Sequence, residues 1–186
     1  MHEILAADLH RYGITKVTWL RICNYTLFSS TPGVRFILVH RLLQYYKLKT
    51  KFMATPFYLL NKHLKVKYGY DISFRTQIGP GFYLGHFGGV VIHGDSIIGK
   101  NCNISQNVTI GVSNHGPGKG TPILGDNVFV GPGAVIIGSI RIGNNVTVGA
   151  NTVVNFDVPD FSTVITSGSV IVPKDLSPFY IHNPIK

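Results

Sequence analysis

The chain has 186 residues, enough for one sizeable core and an appendage, and its formal charge of +9 raises the question of nucleic acid. The charge is not spread: residues 1 to 69 hold eleven Lys and Arg against Glu3 and Asp8, while residues 70 to 186 hold six bases and six acids. A basic appendage on a formally neutral body excludes a nucleic-acid groove along the main domain and sets a boundary near residue 70.

In chain order, MHEILAADLHRYG has acids early and no apolar run, so it does not read as a signal peptide. No later stretch reaches the ~20 apolar residues of a membrane span. Cys23 and Cys102 are far apart, which excludes a disulfide framework and a cysteine metal site and fits a reducing cytosol. A short helix is expected within residues 3 to 27, followed by a break at Ser29-Ser30-Thr31-Pro32-Gly33. VRFILVHRLLQYYKLKTKFMATPFYLLNKHLKVKYG then reads as two amphipathic helices separated near Thr55-Pro56. Two uses stay open for this helical segment, residues 1–69. It caps the next domain and helps subunits associate, or its basic, Tyr- and Phe-rich helices also touch an anionic membrane at the inner, cytoplasmic face.

From residue 72 an aliphatic residue recurs at every sixth position: Ile72, Ile78, Leu84, Val90, then after a two-residue slip Ile92, Ile98, Ile104, Ile110. After a longer interruption the series continues as Leu124, Val130, Ile136, Ile142, Val148, Val154. Four positions after most of these stands a smaller inward residue, and the position directly after is often glycine. A helix would need a spacing near 3.6, and a sandwich of short strands gives 8 to 12 without strict phase. Strict sixfold phase predicts short strands coiling into a prism over residues 70–175. The Gly- and Pro-rich stretch at 112–123 would protrude as a loop, and residues 176–186 would form a tail.

The hexads resemble the hexapeptide-repeat family. That resemblance implies a mainly β fold, a left-handed parallel β-helix, in a homotrimer that transfers acyl groups. It tightens over residues 68 to 111, where Asp71-Ile72, Ile78-Gly79-Pro80-Gly81, His86-Phe87-Gly88-Gly89 and Gln106-Asn107-Val108-Thr109-Ile110-Gly111 are similar to elements of the serine acetyltransferase branch. The branch implies acetyl-CoA as donor, with His86 as general base and Asp71 as the carboxylate that orients the imidazole. The phase agrees: His86 falls two places after the core residue Leu84 and should point outward, and imidazole titrates in the useful range. Asp71 also reads as a cap on the first coil.

For the donor groove the resemblance suggests small residues along the later coils, Gly111, Gly131, Gly133, Ala134, Gly149 and Ala150, with Lys174 near a phosphate. The coil itself demands small residues at such corners. His93, directly after Ile92, lines the same cleft or is a solvated histidine. Gln106 belongs to the matched motif, and His115 lies in the protruding loop. No histidine has partners at metal-ligand spacing, so no catalytic metal is expected.

The departures concern the acceptor. The branch carries Asp before its catalytic His, where this chain has Gly85. It carries an Arg-His pair in the loop where this chain has Gly120-Thr121, with Lys119 alongside. The sequence also ends in Asn183-Pro184-Ile185-Lys186 and lacks the terminal isoleucine of many serine acetyltransferases. Without an aligned guanidinium to grip a carboxylate, the expectation is an O-acetyltransferase acting on a saccharide hydroxyl of a cell-surface polysaccharide or its precursor. The alternatives are serine O-acetylation and a non-catalytic hexapeptide scaffold.

Overall fold

The computed structural model describes residues 1–116 and 118–166. Four helices precede the strands: α1 (His2–His10), α2 (Trp19–Phe28), α3 (Pro32–Lys47) and α4 (Lys51–Tyr68). The expected single helix before residue 28 is two, separated by Gly13, whose φ is +77°. The expected break at Thr55-Pro56 falls instead at residues 48–50, and Pro56 lies inside α4. Proline so near a helix start forfeits a single ladder bond, to the carbonyl of Phe52, which costs less than ending the helix there.

Every strand belongs to a parallel coil. The first coil is β1 (Tyr70–Ile72), β2 (Gln77–Ile78) and β3 (Tyr83–Leu84); the second is β4 (Val90–Ile92), β5 (Ile97–Ile98) and β6 (Asn103–Ile104). The third is β7 (Thr109–Gly111), β8 (Ile123–Leu124) and β9 (Phe129–Val130), and the fourth is β10 (Val135–Ile137), β11 (Arg141–Ile142) and β12 (Thr147–Val148). A fifth begins with β13 (Val153–Val154) and β14 (Thr163–Val164). Stacked coils give three sheets, ordered β1-β4-β7-β10-β13, β11-β8-β5-β2 and β14-β12-β9-β6-β3. The architecture is a left-handed parallel β-helix of about five turns with an N-terminal helical segment.

The register explains the sixfold phase: Ile72 pairs with Ile92, Ile78 with Ile98 and Leu84 with Ile104, so equivalent aliphatics stack directly along the prism axis. All of the series is buried except Ile78, which is partly so, and each full burial contributes about 1.5–3 kcal/mol. The slip at Val90 is the extra length of a wide corner, residues 85–89, after which Val90 and Ile92 both point inward. Asn101, Asn127 and Asn145 turn one corner in left-handed conformation, φ 55° to 57°. Their side chains form a ladder, Asn101 Nδ2 donating to Asn127 Oδ1 and Asn127 Nδ2 to Asn145 Oδ1, each at 3.1 Å. Asparagine tolerates this conformation because its short amide bonds locally.

The carbonyls of the first coil have no preceding coil to donate to them, and the helices supply the donors. Arg41 of α3 donates to the carbonyls of Ile78 at 2.6 Å and Gly79 at 2.7 Å, and Gln44 donates to those of Phe74 and Thr76. Tyr12 donates to the Leu84 carbonyl and accepts from its N–H. Asp8 of α1 in turn accepts from Arg41 Nε at 2.9 Å, both side chains being buried.

Candidate active site

Asp71 is fixed by the junction of α4 with the prism. Gly69 ends α4 with φ +69°, and a Cβ there would lie 2.9 Å from the Gly89 nitrogen, so only glycine lets the chain turn directly into β1. Burial of Tyr70 and Ile72 then forces Asp71 outward. It heads a column on the outer face of the first sheet that continues, coil by coil, through Val91, Thr109, Val135 and Val153. Asp71 is the only charge in that column.

His86 stands at the edge of the same sheet, on the wide corner. The Tyr70 hydroxyl donates to the His86 carbonyl at 3.1 Å, and Gly88 donates to the Tyr68 carbonyl at 2.8 Å, which ties the corner to the strand that carries Asp71. The imidazole is exposed and makes no hydrogen bond among the described residues. Asp71 does not reach it. Its Oδ1 instead pairs with Lys65 Nζ at 2.6 Å, with the two side chains 72% and 29% exposed.

The other expected site residues fall at two corners. Below His86 are stacked Gln106, Gly131 to Gly133, and Gly149 with Ala150, as the bonds Asn107 N–H to Gly88 O, Gly133 N–H to Gln106 O and Asn151 N–H to Pro132 O require. Gln106 Oε1 is buried there without a partner among the described residues. A Cβ on Gly131 would come within 2.8 Å of the Ala150 nitrogen, so that glycine serves the close approach of coils. Ala134, expected beside the donor, is wholly buried inside the prism, where its methyl has no access to a groove. Lys174 lies outside the described residues.

At the opposite edge of the first sheet, Asp71, His93 and Gly111 share a cleft of about 440 Å³. His93 Nδ1 accepts from the Asp95 N–H at 3.3 Å, and Asp95 pairs with Arg75 at 3.0 Å. Thr121 Oγ1 donates to the Asp95 carbonyl, which brings the base of the protruding loop to this corner. His115 and Lys119 on the loop are exposed, as is Gly85 beside His86. Among the described residues, no group of three or more His, Cys, Asp or Glu is placed to hold a metal ion. No helix there is long and apolar enough to cross a membrane.

Residues 121–155 match the bacterial transferase hexapeptide (six repeats) family. A serine acetyltransferase of Staphylococcus xylosus is 36% identical over 149 residues, covering 80% of this chain and 68% of that protein. The chain belongs to the serine acetyltransferase-like branch of the hexapeptide-repeat transferases. A Synechococcus elongatus serine acetyltransferase is 37% identical over 134 residues, 72% of this chain and 54% of that relative. Among solved structures, a Neisseria gonorrhoeae serine acetyltransferase in complex with serine matches with a TM-score of 0.69 and 31% identity, over 89% of this chain and 66% of that one. The chain thus spans between about half and two thirds of the length of these relatives.

These matches overturn the expectation of a polysaccharide acceptor, because the relatives are serine acetyltransferases and the solved relative holds serine. The expectation rested on the changed acceptor positions, Gly85 and Gly120-Thr121, and on the basic, aromatic helical segment. The fold brings Lys65 of α4, a helix expected to cap the prism or touch a membrane, against Asp71.

Proposed function

We propose that the chain is an acetyl-CoA-dependent serine O-acetyltransferase. The observation that carries this reading is the 36% identity to a serine acetyltransferase over 149 residues. The edge-and-face placement of His86 and Asp71 on one sheet supports it, since a three-residue strand spans only about 10 Å and a scaffold needs no outward histidine there.

In this reading His86 takes the proton of the serine hydroxyl as its oxygen attacks the thioester carbonyl. A C–O bond forms, the carbonyl electrons pass to an oxyanion, and a backbone N–H stabilises that charge. Collapse breaks the C–S bond, and the proton held by His86 leaves with the thiolate, giving O-acetylserine and free coenzyme A. Asp71 orients the imidazole by accepting from its second N–H once the Lys65 contact loosens. The corner below His86, with Gln106, Gly131, Gly133, Gly149 and Ala150, suits the donor's arm, and the reaction requires no metal. A homotrimer fits, because a single chain leaves His86 on an open edge and a neighbouring chain closes the cleft. A cytoplasmic location follows from the donor.

The test is thiol release from acetyl-CoA with L-serine as acceptor, the product being weighed. The reading expects saturation in both substrates and a product heavier than serine by one acetyl group. Thiol release that does not depend on serine would refute it.

A further inference from the structure

A second cleft, of about 450 Å³, lies between α4 and the first coil, with Asp71 on its rim. Asn61, Lys62 and Lys65 of α4 form one wall, and Ser73 stands on the other. Lys65 is four residues after Asn61 and three after Lys62, so it shares a helix face with each. Asn61 is only 4% exposed, and its Nδ2 has no partner among the described residues. A buried amide donor without an acceptor is costly, and such a group is retained where a ligand supplies the acceptor. Lys65 already holds Asp71 at 2.6 Å with one of its three donors, which leaves two for another anion.

We infer that this cleft is the subsite for the acceptor's carboxylate, with Lys65 supplying the charge and Asn61 a hydrogen bond. The inference rests on the serine acetyltransferase reading and deepens it: the aligned loop positions, Gly120-Thr121, carry no guanidinium, and the cleft that holds Asp71 is lined by two cations. An ammonium is a compact point charge on a flexible stem, so it replaces the charge of an arginine fork without its planar fit. A carboxylate here draws the ammonium toward itself and leaves Asp71 freer to accept from His86.

The experiment compares L-serine with 2-amino-1,3-propanediol, which keeps the amine and a hydroxyl but lacks the carboxylate. Steady-state kinetics are measured for the wild type, Lys65→Ala, Lys65→Arg and Asn61→Leu. Lys65→Ala is expected to raise KM for L-serine about 10- to 100-fold, the range of a hydrogen bond to a charged group, and not to lower kcat/KM for the diol, for which the loss of Lys65 only frees Asp71. Lys65→Arg should recover most of the serine affinity, and Asn61→Leu should shift the serine-to-diol preference in the same direction by less. Diol turnover in each variant reports that it is folded. The inference is overturned if Lys65→Ala lowers both acceptors equally, which would mean it acts only through Asp71, or if it leaves KM for serine unchanged. A wild type inert toward L-serine would sink the activity reading itself, whereas an active enzyme indifferent to Lys65 sinks this subsite alone.

Discussion

Tyr70 sets the spacing of the two groups proposed for proton transfer, since it precedes Asp71 in β1 and its hydroxyl holds the His86 carbonyl at 3.1 Å. Tyr70→Phe keeps the ring in the core and frees that corner. It is expected to lower kcat about tenfold with little change in thermal midpoint, because small misplacements of a reacting group are expensive; stopped assays and a melting curve check both. A second residue-scale effect concerns stability. His40 is fully buried against Phe36 with neither ring nitrogen bonded among the described residues, and burial, with Arg41 and Lys65 nearby, lowers its pKa to about 3. The folded value lies below the unfolded 6.5, so the stability tied to neutral His40 is complete above 6.5 and lost as pH falls from there toward about 3. Between pH 7 and 5 that loss is about 2 kcal/mol. Denaturant titrations at the two pH values should show it for the wild type and a flatter dependence for His40→Leu.

Among the elements, α1 and α3 are bound to the prism through buried charge. Asp8 accepts from Arg41 and from the Phe82 N–H at 2.9 Å, and burial raises its pKa despite the attraction of Arg41. Removing one partner leaves a buried charge uncompensated, so Asp8→Ala should cost about 3 kcal/mol and speed hydrogen exchange in α1 before the coils open. Exchange that is unchanged in α1 would show that the contact does not anchor it. The prism was legible in sequence because each coil repeats one chemical demand, an inward aliphatic every sixth residue, and the register Ile72–Ile92–Ile110 is that demand in space. The helical cap was not legible in the same way. Asp8 and Arg41 lie far apart in sequence and look like ordinary surface charges, and Lys65 was one base among eleven. Pro56 misled because its cost depends on how far it lies from the helix start, which composition does not give. Ala134 stands four places after Val130, the spacing of the smaller inward residues, and its side chain is wholly buried.

For the molecule as a whole, apolar side chains stand outward on all three sheets, including Val153 at 59%, Ile123 at 40% and Phe129 at 42% exposure. A neighbouring copy would cover such faces, and the proposed trimer predicts a mass in solution three times that of the 20.4 kDa chain. Light scattering on the active protein checks this, and a stable, active monomer would contradict it. The basicity of the helical segment has a local use, since α4 brings Lys62 and Lys65 to the rim of the proposed acceptor site.

The role of His86 as the base is tested most directly by steady-state thiol release from acetyl-CoA with saturating L-serine, measured for the wild type and for His86→Asn. The predicted result is a fall in kcat of about 10²- to 10⁴-fold in a variant whose melting midpoint is unchanged, because the side chain stands outside the core. Turnover by His86→Asn close to that of the wild type would contradict it.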